Sequence, residues 1–340
     1  MNKILVIWLF CLLLIPSLVG MINYALDPNY LFGNNSSLNA YRSRYNERQM
    51  KVNYLEINKK IKHDSLILGA SRSTYLNTSS FEDEGIFNFS VSNMTSKEFI
   101  DFTNFFEQKY GTPKNIYMFL DFVGMLLPQD SLKDETVSNI NNTEYLLSSL
   151  FSLTTLKRSL YSLLWSYQKE TGHRAYLSNL DVVKDRVDEE TSKEKIKTIA
   201  DVYYERYSNE DEIYEFSLIY EKNLYEFASK YSASNILVTT SPISDQLLTK
   251  IYSDDLLFKN FISWITILCE IFDEVNFMTY KNDFTTNFYL HSWDGNHIYP
   301  ESFKDNFVAI NSENSQYTKI LTKENLPAYI IELREKRFNR

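Results

Sequence analysis

Ser65-Leu66-Ile67-Leu68-Gly69-Ala70-Ser71-Arg72-Ser73 is the stretch that decides how the chain is read. An apolar run this short, without a helical period, predicts a buried parallel strand, and a glycine directly behind it predicts a sharp turn at the strand's carboxyl end. Ligands and chemistry in open α/β sheets collect at that end. Ser71 therefore stands where a nucleophile would stand, and the rest of the chain must supply a base, an orienting acid and oxyanion donors.

On the carboxyl side, Ile86 to Ser92 is rich in β-formers and predicts a second strand. Thr95-Ser96-Lys97-Glu98 has capping-box spacing, Phe99, Phe102, Phe106 and Tyr110 mark the buried face of the helix it opens, and Gly111 with Pro113 ends it. Asn115 to Phe122 is a third strand. Strand, helix and strand in this rhythm imply right-handed crossovers and a parallel sheet covered on both faces. The rhythm resumes with a helix over Glu212 to Lys230, a strand over Asn235 to Thr240, a helix over Phe258 to Phe272 and a strand over Glu274 to Thr279. Further helices are expected near Pro300 to Ile310 and from Glu324 to Arg337. Between the two parts, residues from about 131 to 208 read as a helical insertion over the sheet, with amphipathic helices over Tyr145 to Gln168 and a run from Asp181 to Lys197 that is polar all round. It serves as a lid, a partner surface or a plain structural insertion.

On the amino side, Ile4 to Leu26 is almost wholly apolar and carries no charge before Asp27. That matches the ~20 residues a bilayer-spanning helix needs. Lys3 on the short leading side favours a cytoplasmic amino terminus and an extracytoplasmic body. The expected organisation is a transmembrane anchor over 1–26, a stalk and juxtamembrane helix over 27–62 and an α/β domain over 63–340. Arg42 to Lys51 is a basic run, read as a solvated helix face or a surface for lipid headgroups or an anionic glycan.

The 340 residues include 35 Lys and Arg against 44 Asp and Glu, a net charge of -9, which lacks the basic footprint of a nucleic-acid partner. Two cysteines, Cys11 in the apolar segment and Cys269 in a helical pattern, cannot staple the fold. No metal cluster, phosphate-cradling loop or dinucleotide fingerprint occurs, so neither metal nor cofactor is expected.

Asp294-Gly295-Asn296-His297 is the second informative stretch. An Asp three residues before a His, on a glycine-containing loop, lets the carboxylate reach one imidazole nitrogen, fix the tautomer and leave the other nitrogen free to take a proton from a hydroxyl. The chain has four histidines. His63 precedes the first strand, His173 falls in the insertion, and His291 lies close enough to compete, with the Asp294 spacing favouring His297.

Taken together, these residues resemble the SGNH or GDSL-type hydrolases, above all their membrane-anchored, extracytoplasmic relatives encoded with cell-surface polysaccharide or teichoic acid machinery. Gly69-Ala70-Ser71 stands in the place of the block that carries the nucleophile, and Asp294-x-x-His297 in the place of the last block, which supplies both triad partners. The resemblance implies a three-layer flavodoxin-like parallel sheet with helices on both faces. It also implies that the backbone N–H groups of Ser71 and of Asn93 hold the oxyanion. Asn93 replaces the glycine of the second block, and asparagine is the residue after glycine that best tolerates positive φ. Asp121 replaces the asparagine donor of the third block, and an ionised carboxylate only accepts hydrogen bonds. Arg72, Asp121 and Trp293 are further candidates for holding substrate, Arg72 through an anionic group and Trp293 by stacking on a sugar ring.

The expected activity is that of a serine esterase or O-acyl (acetyl) transferase acting on a cell-surface polysaccharide or acylated glycan, with a membrane acyltransferase admitted as a partner. The alternative is an inactive member of the fold that binds glycan or scaffolds polysaccharide assembly. A glycosidase would need paired carboxylates at the mouth of the sheet, for which Asp121 and Asp294 are the candidates.

Overall fold

The computed structural model describes residues 3–81, 85–129, 136, 139, 142–169, 174–207, 210–279, 282–303 and 317–338. Its strands are β1 (Arg42–Ser43), β2 (Ser65–Gly69), β3 (Ile86–Asn88), β4 (Asn115–Leu120), β5 (Ala175–Tyr176), β6 (Val182–Val183), β7 (Asn235–Thr240), β8 (Val275–Met278) and β9 (Thr318–Leu321). The chain divides into two compact units, residues 1–61 with 133–185 and residues 62–132 with 186–340. The segment expected as a stalk thus folds with the first part of the expected insertion. The rest of the insertion, including the helix Glu189–Tyr207, belongs to the second unit.

The second unit is α/β. Its sheet has the order β3-β2-β4-β7-β8-β9, with every neighbouring pair parallel except β8 and β9, which run antiparallel. The sheet is therefore mixed, a correction to the all-parallel expectation: β9 was not expected, and it closes the edge beyond β8. β2 is buried at all five positions, as its unbroken apolar run requires. The helix Ser96–Tyr110 starts on the expected capping box, with Thr95 and Glu98 each bonded to the other's backbone, and stops at Gly111. The helix expected from Pro300 begins there, while 304–310 lie outside the described residues. Because the chain passes from β2 outward to β3 and then returns to β4 on the other side of β2, the crevice above the carboxyl ends of β2 and β4 is the topological switch point.

The first unit is built differently. A small antiparallel sheet, β1-β5-β6, accompanies the helices Lys3–Leu26, Glu47–Ile57, Thr143–Leu150 and Leu153–Gln168. The basic run is only partly a surface: Arg44 is exposed and Arg48 half-buried, but Arg42 and Lys51 are buried, at 0% and 1% exposure. Arg42 is drawn inside by backbone carbonyls, donating to Asp27 O and Asn34 O. Lys51 lies in the fields of Glu47 and Asp181, and burial lowers its pKa to about 7. Glu47 also takes an ion pair from Arg174 and a hydrogen bond from Tyr176.

The expected span over 4–26 is not borne out as such. A helix of 24 residues does form. Its last turns are packed onto protein, with Val19, Asn23 and Leu26 buried and Asn23 donating to Leu150 O and Ser152 O at 2.8 and 3.0 Å. Among the described residues no helix is long and apolar enough to cross a membrane.

Candidate active site

Ser71 lies two residues beyond the end of β2, at the first position of a tight turn that continues into a short 3-10 helix, Ser73–Tyr75. Gly69 is forced by close approach, since a Cβ there would meet Ser73 Oγ and lie 2.6 Å from the Phe119 carbonyl oxygen of β4. Three side chains then hold the turn. Ser73 donates to Ala70 O, Thr74 donates to Ser71 O, and Asn88 at the end of β3 donates to Ser73 O and Leu76 O. The part that Asn88 and Thr74 play in bracing this turn was not legible in sequence, because their partners are backbone carbonyls that leave no mark there.

The base arrives on the loop after Ser292. Gly295 has φ +80° and a Cβ there would come within 2.5 Å of Ile196 Cα, so the helix Glu189–Tyr207 lies directly against this loop. Ser192 of the same helix donates to Ser292 O, and Ser292 Oγ accepts from Gly295 N. His297 Nε2 lies 2.9 Å from Ser71 Oγ, and His297 Nδ1 lies 2.7 Å from Asp294 Oδ2. The other oxygen of Asp294 accepts from the backbone N–H groups of Asn296 and His297 at 2.9 and 2.8 Å. Burial pushes the Asp294 carboxyl up. The hydrogen bond and charge of His297 and the two backbone donors outweigh it, so the group is held below the ordinary carboxylate range. An ionised Asp294 fixes the proton on Nδ1 and turns the lone pair of Nε2 toward the Ser71 hydroxyl. Trp293 is buried and stacks on the imidazole, with centroids 5.6 Å apart and planes 10° from parallel. It braces the base, and a sugar ring has no access to that face. His291 bonds Ser302 Oγ and stacks on Phe284, which settles the competition between the two histidines in favour of His297.

Arg72 and Asp121 pair with each other. Arg72 is 3% exposed and donates to Asp121 Oδ1 at 2.6 Å, to Asn296 O at 3.1 Å and to Asn296 Oδ1. One guanidinium therefore ties the residue after Ser71 to the residue before His297 and to the end of β4. Asn296 in turn sets its amide 3.3 Å from His297 Nε2. The negative charge of Asp121 is neutralised where an unpaired carboxylate would repel an oxyanion. With Asp121 committed to Arg72 and Asp294 to His297, the two carboxylates do not form the acid and base pair of a glycosidase. Asn93 takes φ +51°, the left-handed conformation expected for a residue in a glycine's place, and is exposed on the loop after β3.

Among the described residues no group of His, Cys, Asp and Glu could hold a metal ion. Compared with models of protein families, with curated proteins and with solved structures, the chain gives no match.

Proposed function

We propose that the chain is a serine esterase or O-acyltransferase of the SGNH type, acting on acyl groups of a cell-surface glycan. The observation that carries this reading is the unbroken line Ser71 Oγ, His297 Nε2, His297 Nδ1, Asp294 Oδ2, with spacings of 2.9 and 2.7 Å. Ser71 Oγ bonds to the acyl carbonyl carbon while its proton passes to His297 Nε2, and the carbonyl π pair moves onto oxygen. The backbone N–H groups of Ser71 and Asn93 receive that oxyanion. Collapse of the tetrahedral species expels the alcohol, which takes the proton back from Nε2 and leaves the acyl group on Ser71. A second hydroxyl, of water or of a glycan, gives its proton to His297 and attacks the acyl carbon, and Ser71 Oγ leaves with that proton from Nε2. Water makes the protein an esterase, and a sugar hydroxyl makes it a transferase.

We further propose that it works at a membrane, body outside, held by the amino-terminal helix. Two features support this. Trp8, Phe10 and the run Leu12 to Ile15 project outward from that helix, at 50–70% exposure. The helix Leu153–Gln168 buries Thr155, Ser159, Ser162 and Ser166 and exposes Leu153, Leu160, Leu164 and Tyr167. Small residues between helices and large apolar ones outside is the arrangement lipid favours.

The test is turnover of para-nitrophenyl acetate by the full chain. Ser71→Ala and His297→Ala are each expected to lower kcat by about 10⁴-fold or more. Turnover that survives both changes would reject the triad. No turnover at all, with no labelling of Ser71 by a fluorophosphonate, would shift the protein to glycan binding or scaffolding.

A further inference from the structure

Asn296, beside His297, is 6% exposed and held so that its amide can stand only one way round. Its Oδ1 accepts from the Arg72 guanidinium, which also donates to the Asn296 carbonyl oxygen at 3.1 Å. Turning the amide over would set its N–H groups against a guanidinium that can only donate, so Arg72 fixes the nitrogen on the other side. There Nδ2 lies 3.3 Å from His297 Nε2, the atom that stands 2.9 Å from Ser71 Oγ. Nδ2 carries two hydrogens, and His297 is its one partner among the described residues. The positive charge against Oδ1 polarises the amide and makes those hydrogens better donors. Ser71 and His297 are both half-buried, so the corner they form with Asn296 is open to a substrate.

The contact with Nε2 does not satisfy this donor through a turnover. Neutral imidazole has one lone pair on Nε2, and the Ser71 hydroxyl at 2.9 Å is the nearer claimant. Once Nε2 has taken the Ser71 proton it accepts from nothing, and two N–H donors then stand 3.3 Å apart at one corner of the site. An oxygen about 2.8–3.0 Å from each satisfies both. In the proposed reaction one oxygen besides Ser71 Oγ exchanges a proton with Nε2, that of the alcohol. We infer that the Asn296 amide is the group that holds the alcohol oxygen as it leaves and as it attacks. When the bond between the acyl carbon and the alcohol oxygen breaks, its electron pair goes to that oxygen and the proton on Nε2 follows. Asn296 Nδ2 donates a hydrogen bond to the same oxygen and keeps its own protons. In the second half, water or a sugar hydroxyl enters the same place, held by Nδ2 while its proton passes to Nε2. The inference rests on the proposed esterase or transferase chemistry and adds to it the contact for the leaving and accepting hydroxyl.

The experiment compares kcat/KM of the full chain on two acetyl esters, para-nitrophenyl acetate, whose phenolate departs without needing a proton, and methyl acetate, whose methoxide does not. Asn296→Asp keeps an oxygen for Arg72 and exchanges the N–H groups for a second oxygen, and Asn296→Ala removes the amide altogether. Each variant is expected to lose about 10²-fold on methyl acetate, the usual worth of one donor at a developing negative charge, and no more than about fivefold on para-nitrophenyl acetate. The new carboxylate in Asn296→Asp raises the His297 pKa, so that variant is compared on the alkaline plateau of its pH profile. Because the ratio of the two esters is internal to each protein, a lower yield of folded variant does not alter it. In the unmutated protein, the Asn296 Nδ2 protons are expected to move downfield in nuclear magnetic resonance spectra once Ser71 carries a diethyl phosphoryl group, an ethoxy oxygen of which takes the alcohol's place. No loss on methyl acetate, equal losses on both esters, as a merely structural role in the loop would give, or Nδ2 protons that stay in place in the Ser71 adduct would overturn the inference while the triad stands. Turnover of both esters that survives Ser71→Ala would overturn the proposed function and the inference with it.

Discussion

The helices Leu153–Gln168 and Asp255–Ile271 are of similar length and both amphipathic, yet they face opposite ways. In the second unit, Asp255–Ile271 buries Leu257, Phe261, Trp264 and Leu268 and leaves Asp255, Lys259 and Glu270 outside. In the first, Leu153–Gln168 turns its serines inward, where Ser159 donates to Asn23 and Ser166 accepts from Tyr41 N, and leaves Leu153 71% and Tyr167 85% exposed. The same unit buries Arg42, Glu47, Lys51 and Arg174. Hydrophobic burial drives the second unit as it does any protein folding in water. The first buries polar and charged groups beside apolar ones such as Val52, Leu55 and Tyr176, and leaves much of the apolar surface of the helix Leu153–Gln168 exposed. Periodicity alone tells that a helix has an apolar face; which way that face points is set by what the rest of the fold packs against it.

The comparison can be broken or sharpened by mutation. The largest effect is expected where the second unit departs from its own rule, at its buried ion pair. Asp121→Leu leaves the Arg72 charge buried without its carboxylate and is expected to cost about 3–5 kcal/mol in urea unfolding, most of it recovered in Arg72→Met/Asp121→Leu. Next is the core itself. Leu268 is fully buried, and Leu268→Ala should cost about 2–5 kcal/mol, read from the same unfolding curves.

In the first unit the sensitive variable is pH. The folded pKa of Lys51 is depressed to about 7 by burial, so above that value the folded chain has released a proton that the unfolded chain keeps until near its ordinary lysine pKa. Stability should therefore rise by about 2 kcal/mol between pH 7 and 9 and stay flat in Lys51→Met. A pH scan of Tm that rises equally in both proteins would remove Lys51 as the cause. The smallest effect on folding is expected at Leu164. As an outward residue, Leu164→Asp should change stability by no more than about 0.5 kcal/mol. It should nonetheless weaken sedimentation with phosphatidylcholine vesicles by about 10-fold, the worth of burying one leucine in lipid. Unchanged sedimentation would mean that this face does not meet lipid.

What could be read from the sequence was local. The turn at Gly69-Ala70-Ser71, the Thr95 cap and the Asp294-x-x-His297 spacing each put the informative atoms within a few residues of one another. The tie from Arg72 to Asp121 and Asn296 joins positions 49 and 224 residues apart. Nothing in the local pattern of any of the three announces it, and Arg72 and Asp121 read instead as groups waiting for substrate. The buttress on the catalytic loop was hidden for another reason. The helix Glu189–Tyr207 is charged over most of its surface, and the residues that touch Gly295 are two isoleucines in a polar run. β9 is short, with two of its four residues exposed, too little alternation to mark it as a strand.

The interleaving of the two units has a consequence for synthesis. Residues 62–132, with Ser71 and its turn, are made between the two halves of the first unit, and the second unit then waits for everything after 186. Ser71 and His297 are 226 residues apart. At about 5–20 residues per second, Ser71 leaves the ribosome roughly 10–45 s before His297. During that interval β2 and β4 can pair, and the hydroxyl of Ser71 meets His297 only after β7 and β8 have been made.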